Sequence, residues 1–331
     1  MMKKFALAAI VLAGSHFVGA HGASANDLSA LHSGPVRTAQ AAQLRRPALP
    51  VEEDEFLSLL EENIASGGPA KDGIPAVEKP RYTSAAEGDE WLVAEDVVFG
   101  VDYEGFVAAY PQRILVWHEI ANETIRGEPI SITYCPLTGT SIGFKGALTP
   151  ETRSTFGVSG KLVNSNLIMY DRATDSQWPQ ILGKAITGSL RANRLEEFPV
   201  GWTTWENWKQ QHSDTRVLSR DTGFIRNYGK NADPYGSYLG KNKGYYNSEQ
   251  LLFRPIVEDS QLHPKTVVVG MRDDAGNSVA IVKDRLRQEK EIEVKLGDRT
   301  VVVTYEVITV FGRLECGAFA ACMPLLERSR H

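Results

Sequence analysis

Two stretches of this chain run in step, and that constrains its fold more than any other feature. Val97-Val-Phe-Gly100 matches Val268-Val269-Gly270, and beyond a turn Ala108-Ala-Tyr110 matches Val279-Ala-Ile281. Leu115 matches Leu286, and Tyr134 follows Leu115 at the interval at which Tyr305 follows Leu286. Short β-branched and aromatic runs punctuated by Gly and Asp read as hairpins, and their recurrence reads as a repeated unit. The expected fold is α+β and β-dominated. It has two related strand-rich units, an internal duplication at about 91–145 and 262–312, with short helices, inside a main body spanning 67–312. At 331 residues the chain can bury a sizeable core.

The same comparison singles out one cysteine. Thr133-Tyr134-Cys135 lies on Thr304-Tyr305-Glu306, and His118 lies on Glu289. The second copy has no sulfur at this place, so the scaffold does not need Cys135. Ile130-Ser-Ile-Thr-Tyr134 alternates apolar and polar residues as a strand does, and Pro136 and Gly139 then turn the chain. A thiol at a strand-to-turn junction has its backbone fixed by the sheet and its side chain free for chemistry.

The rest of the chain sets the compartment. Lys3 and Lys4, the apolar run Phe5–Ala13 and Ala23-Ser24-Ala25 have the order of an export signal over 1–25, cleaved after Ala25. The expected location is periplasmic or secreted, with no transmembrane segment in the mature chain. Residues 26–66 read as a disordered tether followed by an acidic helix, Glu52–Ile64, with Phe56, Leu59, Leu60 and Ile64 on one face. Val97–Val101 and Phe106–Tyr110 form a hairpin, and Ile114–Ile125 has helix-like apolar spacing. Trp202–Gln211 is a short helix capped by Thr203 or Thr204, and Asn227–Tyr246 is a long folded surface loop. The tail, 313–331, carries Cys316 and Cys322, which could close a disulfide or serve a metal. A net charge of −5, with no basic face, argues against nucleic acid as a partner.

Three chemistries compete for these residues. In a thiol-dependent redox protein Cys135 is the reactive group, and Cys135-Pro-Leu-Thr138 has the cadence of a Cys-x-x-Cys loop with a hydroxyl in place of the second sulfur. Thr138 would donate to the thiolate, and His118 or Arg172 would supply charge or act as base. A full cycle then needs a partner thiol, Cys316 or Cys322, or a small-molecule partner. In a metal protein, Cys135, His118 and the Met169 thioether make a soft copper or zinc site. His118-Glu119 begins like a zinc-protease helix, but Asn122 stands where the second histidine is required. In a binding module, Trp178, Trp202, Trp205, Trp208, Tyr235, Tyr238, Tyr245 and Tyr246 would line an aromatic pocket. No residue pattern names a cofactor.

The string Ala109-Tyr-Pro-Gln-Arg-Ile-Leu-Val-Trp-His-Glu-Ile-Ala-Asn122, followed by Tyr134-Cys-Pro-Leu-Thr-Gly-Thr140, resembles the domain-of-unknown-function 3179 family. Phe156-Gly-Val-Ser-Gly160, Asn164-Ser-Asn166, Met169-Tyr-Asp-Arg172, Trp178-Pro-Gln180 and Thr203-Thr-Trp205 extend the resemblance over roughly residues 70 to 290. The family has no assigned reaction. Some of its members are described as selenoproteins, so the resemblance implies redox chemistry, with Thr138 at the place of the second redox atom.

Overall fold

A computed structural model describes residues 8–11, 52–238, 244–258, 261–273, 275–305, 308–310 and 313–315. The signal cleavage site, the tether up to residue 51, Glu306, Cys316 and Cys322 lie outside the described residues. Strand β1 (Ala8–Val11) precedes helix α1 (Glu53–Glu62), strands β2 (Ala65–Ser66) and β3 (Tyr82–Thr83), and helix α2 (Ala85–Asp89). The hairpin β4 (Val97–Tyr103) and β5 (Phe106–Pro111), the single turn α3 (Gln112–Leu115) and the hairpin β6 (Ile120–Ile125) and β7 (Glu128–Cys135) follow. Then come β8 (Thr140–Lys145), β9 (Phe156–Val163), β10 (Asn166–Asp171), β11 (Gln177–Pro179), β12 (Glu197–Phe198), β13 (Gly201–Thr204), α4 (Trp205–Gln211) and β14 (Arg216–Leu218). The chain continues into β15 (Val268–Arg272), β16 (Ser278–Val282), α5 (Lys283–Glu289), β17 (Glu291–Leu296) and β18 (Arg299–Thr304). The architecture is α+β and strand-rich, as the turn-punctuated pattern implies.

A middle sheet, β12-β8-β7-β6, has a five-stranded sheet, β13-β4-β5-β14-β3, on one side and a four-stranded sheet, β11-β10-β9-β2, on the other. The alternation along β7 explains why. Ile130, Ile132 and Tyr134 pack with Phe99, Tyr110 and Trp202 in the first core. Ser131, Thr133 and Cys135 point to the opposite face, as a period of two requires. That face is buried as well, so its polar groups need partners. Ser131 donates to Asn122 Oδ1 at 2.6 Å, and Thr133 Oγ1 accepts from Gln180 Nε2 at 3.0 Å. Cys135 packs with Phe156, Leu167, Met169 and Trp178 in the second core.

The helical spacing of Ile114–Ile125 is overridden. The helix stops at Leu115, the chain reverses through Glu119 at φ 57°, and Ile120–Ile125 pairs antiparallel with β7. Apolar residues at three- and four-residue intervals serve a helix, but β-branched Ile120, Thr124 and Ile125 beside a ready strand favour pairing. Helix α4 is capped by Thr204, whose hydroxyl accepts the Asn207 N–H at 3.3 Å, while Gly201–Thr204 belongs to β13.

The order β15-β16-α5-β17-β18 repeats the order β4-β5-α3-β6-β7. Lys290 reverses the chain at φ 66° where Glu119 does so in the first unit. Tyr305 N–H donates to the Lys290 carbonyl, and Tyr134 N–H to the Glu119 carbonyl, each at 2.7 Å. Glu291 faces Thr304 as Ile120 faces Thr133. The later unit has its own core of Val269, Leu286, Ile292, Val294, Val301 and Tyr305. These shared turns fit one ancestral unit used twice without requiring it.

Candidate functional site

Cys135 closes β7 opposite Thr140, and Gly139 takes the left-handed turn between them at φ 59°. Across the layer, Asn164 and Ser165 both have positive φ, 52° and 59°, the pattern of a tight hairpin turn joining β9 to β10. That turn aims backbone at the sulfur. Leu167 N–H donates to Cys135 Sγ at 3.4 Å, and the thiol reaches the Ser165 carbonyl at 3.9 Å. Thr138 is fixed by Asn166 Nδ2, which donates to its hydroxyl at 3.1 Å. Thr140 gives its own proton to Gln180 Oε1 at 2.7 Å. The Thr138 proton therefore has Thr140 Oγ1, at 2.8 Å, and the sulfur as its acceptors.

Cys135 is 1% exposed. Burial pushes its thiol up, and the charge of Glu119 adds to this; the Thr138 and Leu167 donors pull it down without cancelling the rise. Cys135 at rest is therefore a thiol.

Glu119 is a buried acid that motif reasoning passes over. This acid is only 7% exposed. Burial pushes it up to about 8. The Tyr235 phenol is raised chiefly by burial, then by the charges of Glu119 and Cys135. Tyr245, pushed up to about 12 by burial and next by Cys135, donates to the Leu137 carbonyl at 3.0 Å inside the cysteine turn. The Tyr235 and Tyr245 rings meet edge to face at 6.0 Å, and Tyr245 is tied to the cysteine turn through Leu137. The one signal in the sequence is an acid set among Trp117, His118, Ile120 and Ala121, with a lysine at the matching place in the second unit.

The other expected site residues are placed elsewhere. His118 is fully buried; its Nδ1 meets the Pro75 carbonyl at 2.7 Å and its Nε2 the Tyr228 hydroxyl at 2.6 Å. A carbonyl can only accept, so Nδ1 carries the proton and Nε2 accepts from Tyr228. Burial lowers its pKa, so the ring is neutral and supplies neither charge nor a free ligand nitrogen. Arg172 pairs with Asp72 and Glu78 and donates to Tyr170 at 2.6 Å. Neither comes to Cys135. Asp171 fixes a turn by accepting from Thr174 and from the Trp178 indole at 3.0 Å.

Met169 shares the second core with Cys135, but His118 is committed to Pro75 and Tyr228, so the three do not converge on one centre. Among the described residues no group of three or more His, Cys, Asp or Glu side chains could hold a metal ion. The aromatic residues divide. Trp178, Trp202, Trp205 and Trp208 are buried in the cores. Tyr238 stacks on Tyr246 at 3.9 Å, and both hydroxyls meet that of Tyr134. An open depression lined by Arg220, Asp221, Arg226, Asn227, Tyr228 and Gly229 does not include Cys135.

A β-rich body with a buried thiol between two sheets defines the class. Residues 71–312 match the family described as protein of unknown function DUF3179, and the chain belongs to that family. No curated protein and no solved structure is similar to it.

Proposed function

We propose that this protein is exported and acts by thiol–disulfide exchange at Cys135. The observation that carries the reading is the set of donors gathered at Sγ. A cysteine that only fills space needs none, whereas Leu167 N–H and Thr138 hold their protons where negative sulfur would form. The Cys135 S–H loses its proton, the thiolate attacks one sulfur of an external disulfide R–S–S–R′, and the Cys135–S–S–R bond forms as R′–S⁻ leaves and is protonated. A second external thiol then takes R from Cys135 and restores the free thiol. The cysteine turn, to which Tyr245 is tied through the Leu137 carbonyl, must open locally for the disulfide to enter. The protein keeps the sulfur protonated until a partner arrives, which limits adventitious oxidation in an oxidising compartment.

The reading is tested by incubating the folded full-length chain with dithiodipyridine and mapping adducts by peptide mass spectrometry. A mixed disulfide on the Cys135 peptide, absent in Cys135→Ser, is the expected result. Adducts confined to Cys316 and Cys322 would contradict it.

A further inference from the structure

Ile225 is 99% exposed, and Phe224 beside it is 40% exposed. Single apolar residues on a surface are ordinary. Two in succession at the tip of a turn, with cations on both sides in the chain, mark a place of contact. Gly223 makes the turn at φ 85°, and nothing stands within 4 Å of where a Cβ would be, so the chain projects into solvent here.

The tip is held in place from below. Phe224 N–H donates to Thr222 Oγ1 at 3.3 Å, and the Thr222 hydroxyl meets that of Tyr228 at 2.7 Å. Tyr228 gives its proton to His118 Nε2, so Thr222 donates to Tyr228 in turn. The Phe224 ring lies 5.5 Å from that of His118. A buried histidine that does not reach Cys135 thus anchors residues 222–228.

Charge defines what the tip meets. Arg220 stacks on the Trp91 ring at 5.1 Å and makes no ion pair among the described residues. Arg226 donates to the neighbouring Ile225 carbonyl at 3.1 Å, and it too has no acidic partner among them. Lys230 is exposed and likewise unpaired. Asp221, the acid between them, is taken by Arg81. Arg220 and Arg226 line one open depression, on a chain whose net charge is −5. A local surplus of positive charge on an acidic chain selects an anionic partner.

We propose that residues 220–230 dock this protein on a lipid bilayer that carries anionic phospholipid. Headgroup phosphates lie against Arg220, Arg226 and Lys230, and Ile225 enters the acyl boundary with the outer edge of Phe224. A soluble anion accounts for the arginines and leaves Ile225 in water. A purely apolar partner accounts for Ile225 and strands the arginines. A bilayer interface satisfies both. Few cations and one aliphatic side chain make the association reversible and salt-sensitive. This docking does not depend on the chemistry of Cys135.

The test floats the full-length chain with vesicles of phosphatidylcholine alone, or mixed equally with phosphatidylglycerol, at low and high salt. Wild type should float with the anionic vesicles and come off in high salt. Arg220→Gln/Arg226→Gln should bind roughly twentyfold more weakly, about fivefold for each charge. Ile225→Ser should bind roughly tenfold more weakly, and with Ile225 in water it leaves the fold untouched. All these chains share the apolar run Phe5–Ala13, so a second measurement reads the tip itself. In Ile225→Trp, the fluorescence gained over wild type should be quenched by brominated phosphatidylcholine in the anionic vesicles. Equal binding by wild type and variants, with the added indole unquenched, overturns the proposal and puts adhesion elsewhere in the chain. Weakening in the arginine pair but not in Ile225→Ser, with inorganic phosphate displacing the chain at matched ionic strength, overturns it in favour of a soluble anion. No binding to anionic vesicles overturns it outright.

Discussion

At Glu119 the cost of burying an acid can be read as a pH dependence. Its ordinary value of 4.5 is raised to about 8 in the folded chain. Between those values the folded state keeps a proton that the unfolded state has released, so stability is fullest below about 4.5 and falls as pH rises to about 8. Urea titrations of wild type and Glu119→Gln should show curves that diverge over that window, with the variant flatter and more stable at pH 8 by up to a few kcal/mol. Parallel curves would mean that Glu119 is not the buried acid described. Asn122 makes a second test. Its Nδ2 donates to the Phe156 carbonyl at 2.8 Å and its Oδ1 accepts from Ser131 at 2.6 Å, tying the middle sheet to β9. Asn122→Ala strands these buried groups and should cost roughly 2–4 kcal/mol in chemical denaturation. The sequence presents Asn122 as the place where a zinc motif fails, and the structure gives it this work instead. Cys135 and Thr138 were legible because alternation and turn residues are local. The approach of the Leu167 and Thr138 donors to the sulfur was not, since the pairing of separate strands brings Leu167 there.

Among the elements, the hairpins and α4 could be read from turn chemistry and capping alone. Losing the cap in Thr204→Ala should cost about 1 kcal/mol in thermal or urea unfolding. The helix expected over Ile114–Ile125 shows the limit of such reading. Period alone cannot see that β7 lies ready to pair with Ile120–Ile125, nor that the chain reverses at Glu119. The short helix α3 is fixed by an ion pair instead. Arg113, with its side chain 10% exposed, pairs with Asp96 and donates to the Trp91 carbonyl at 3.1 Å. Asp96 also accepts the Val93 N–H at 2.8 Å. Arg113→Ala leaves a carboxylate in a site nearly closed to water and should cost about 3–5 kcal/mol. A loss below 1 kcal/mol would mean that water reaches Asp96 freely.

The whole molecule is a layered β-rich body with the Cys135 thiol closed between two of its sheets. Among the described residues no helix is long and apolar enough to cross a membrane. We expect the mature chain to begin near Asn26, which intact-mass measurement of the exported protein will check; a mass that includes Met1 would contradict cleavage. Export matters to the chemistry because disulfides persist outside the cytoplasm. The central claim is that Cys135 serves reaction and not packing, and one paired measurement tests it most directly. Iodoacetamide labelling of Cys135 in the native full-length chain is followed against denaturant concentration, beside thermal unfolding of Cys135→Ser. We expect labelling in the absence of denaturant, at a rate insensitive to its first increments because a local opening exposes the thiol, and a Cys135→Ser variant within about 1 kcal/mol of wild type. Labelling that follows global unfolding, together with a Cys135→Ser loss of several kcal/mol, would show Cys135 to be core and the site described here to be wrong.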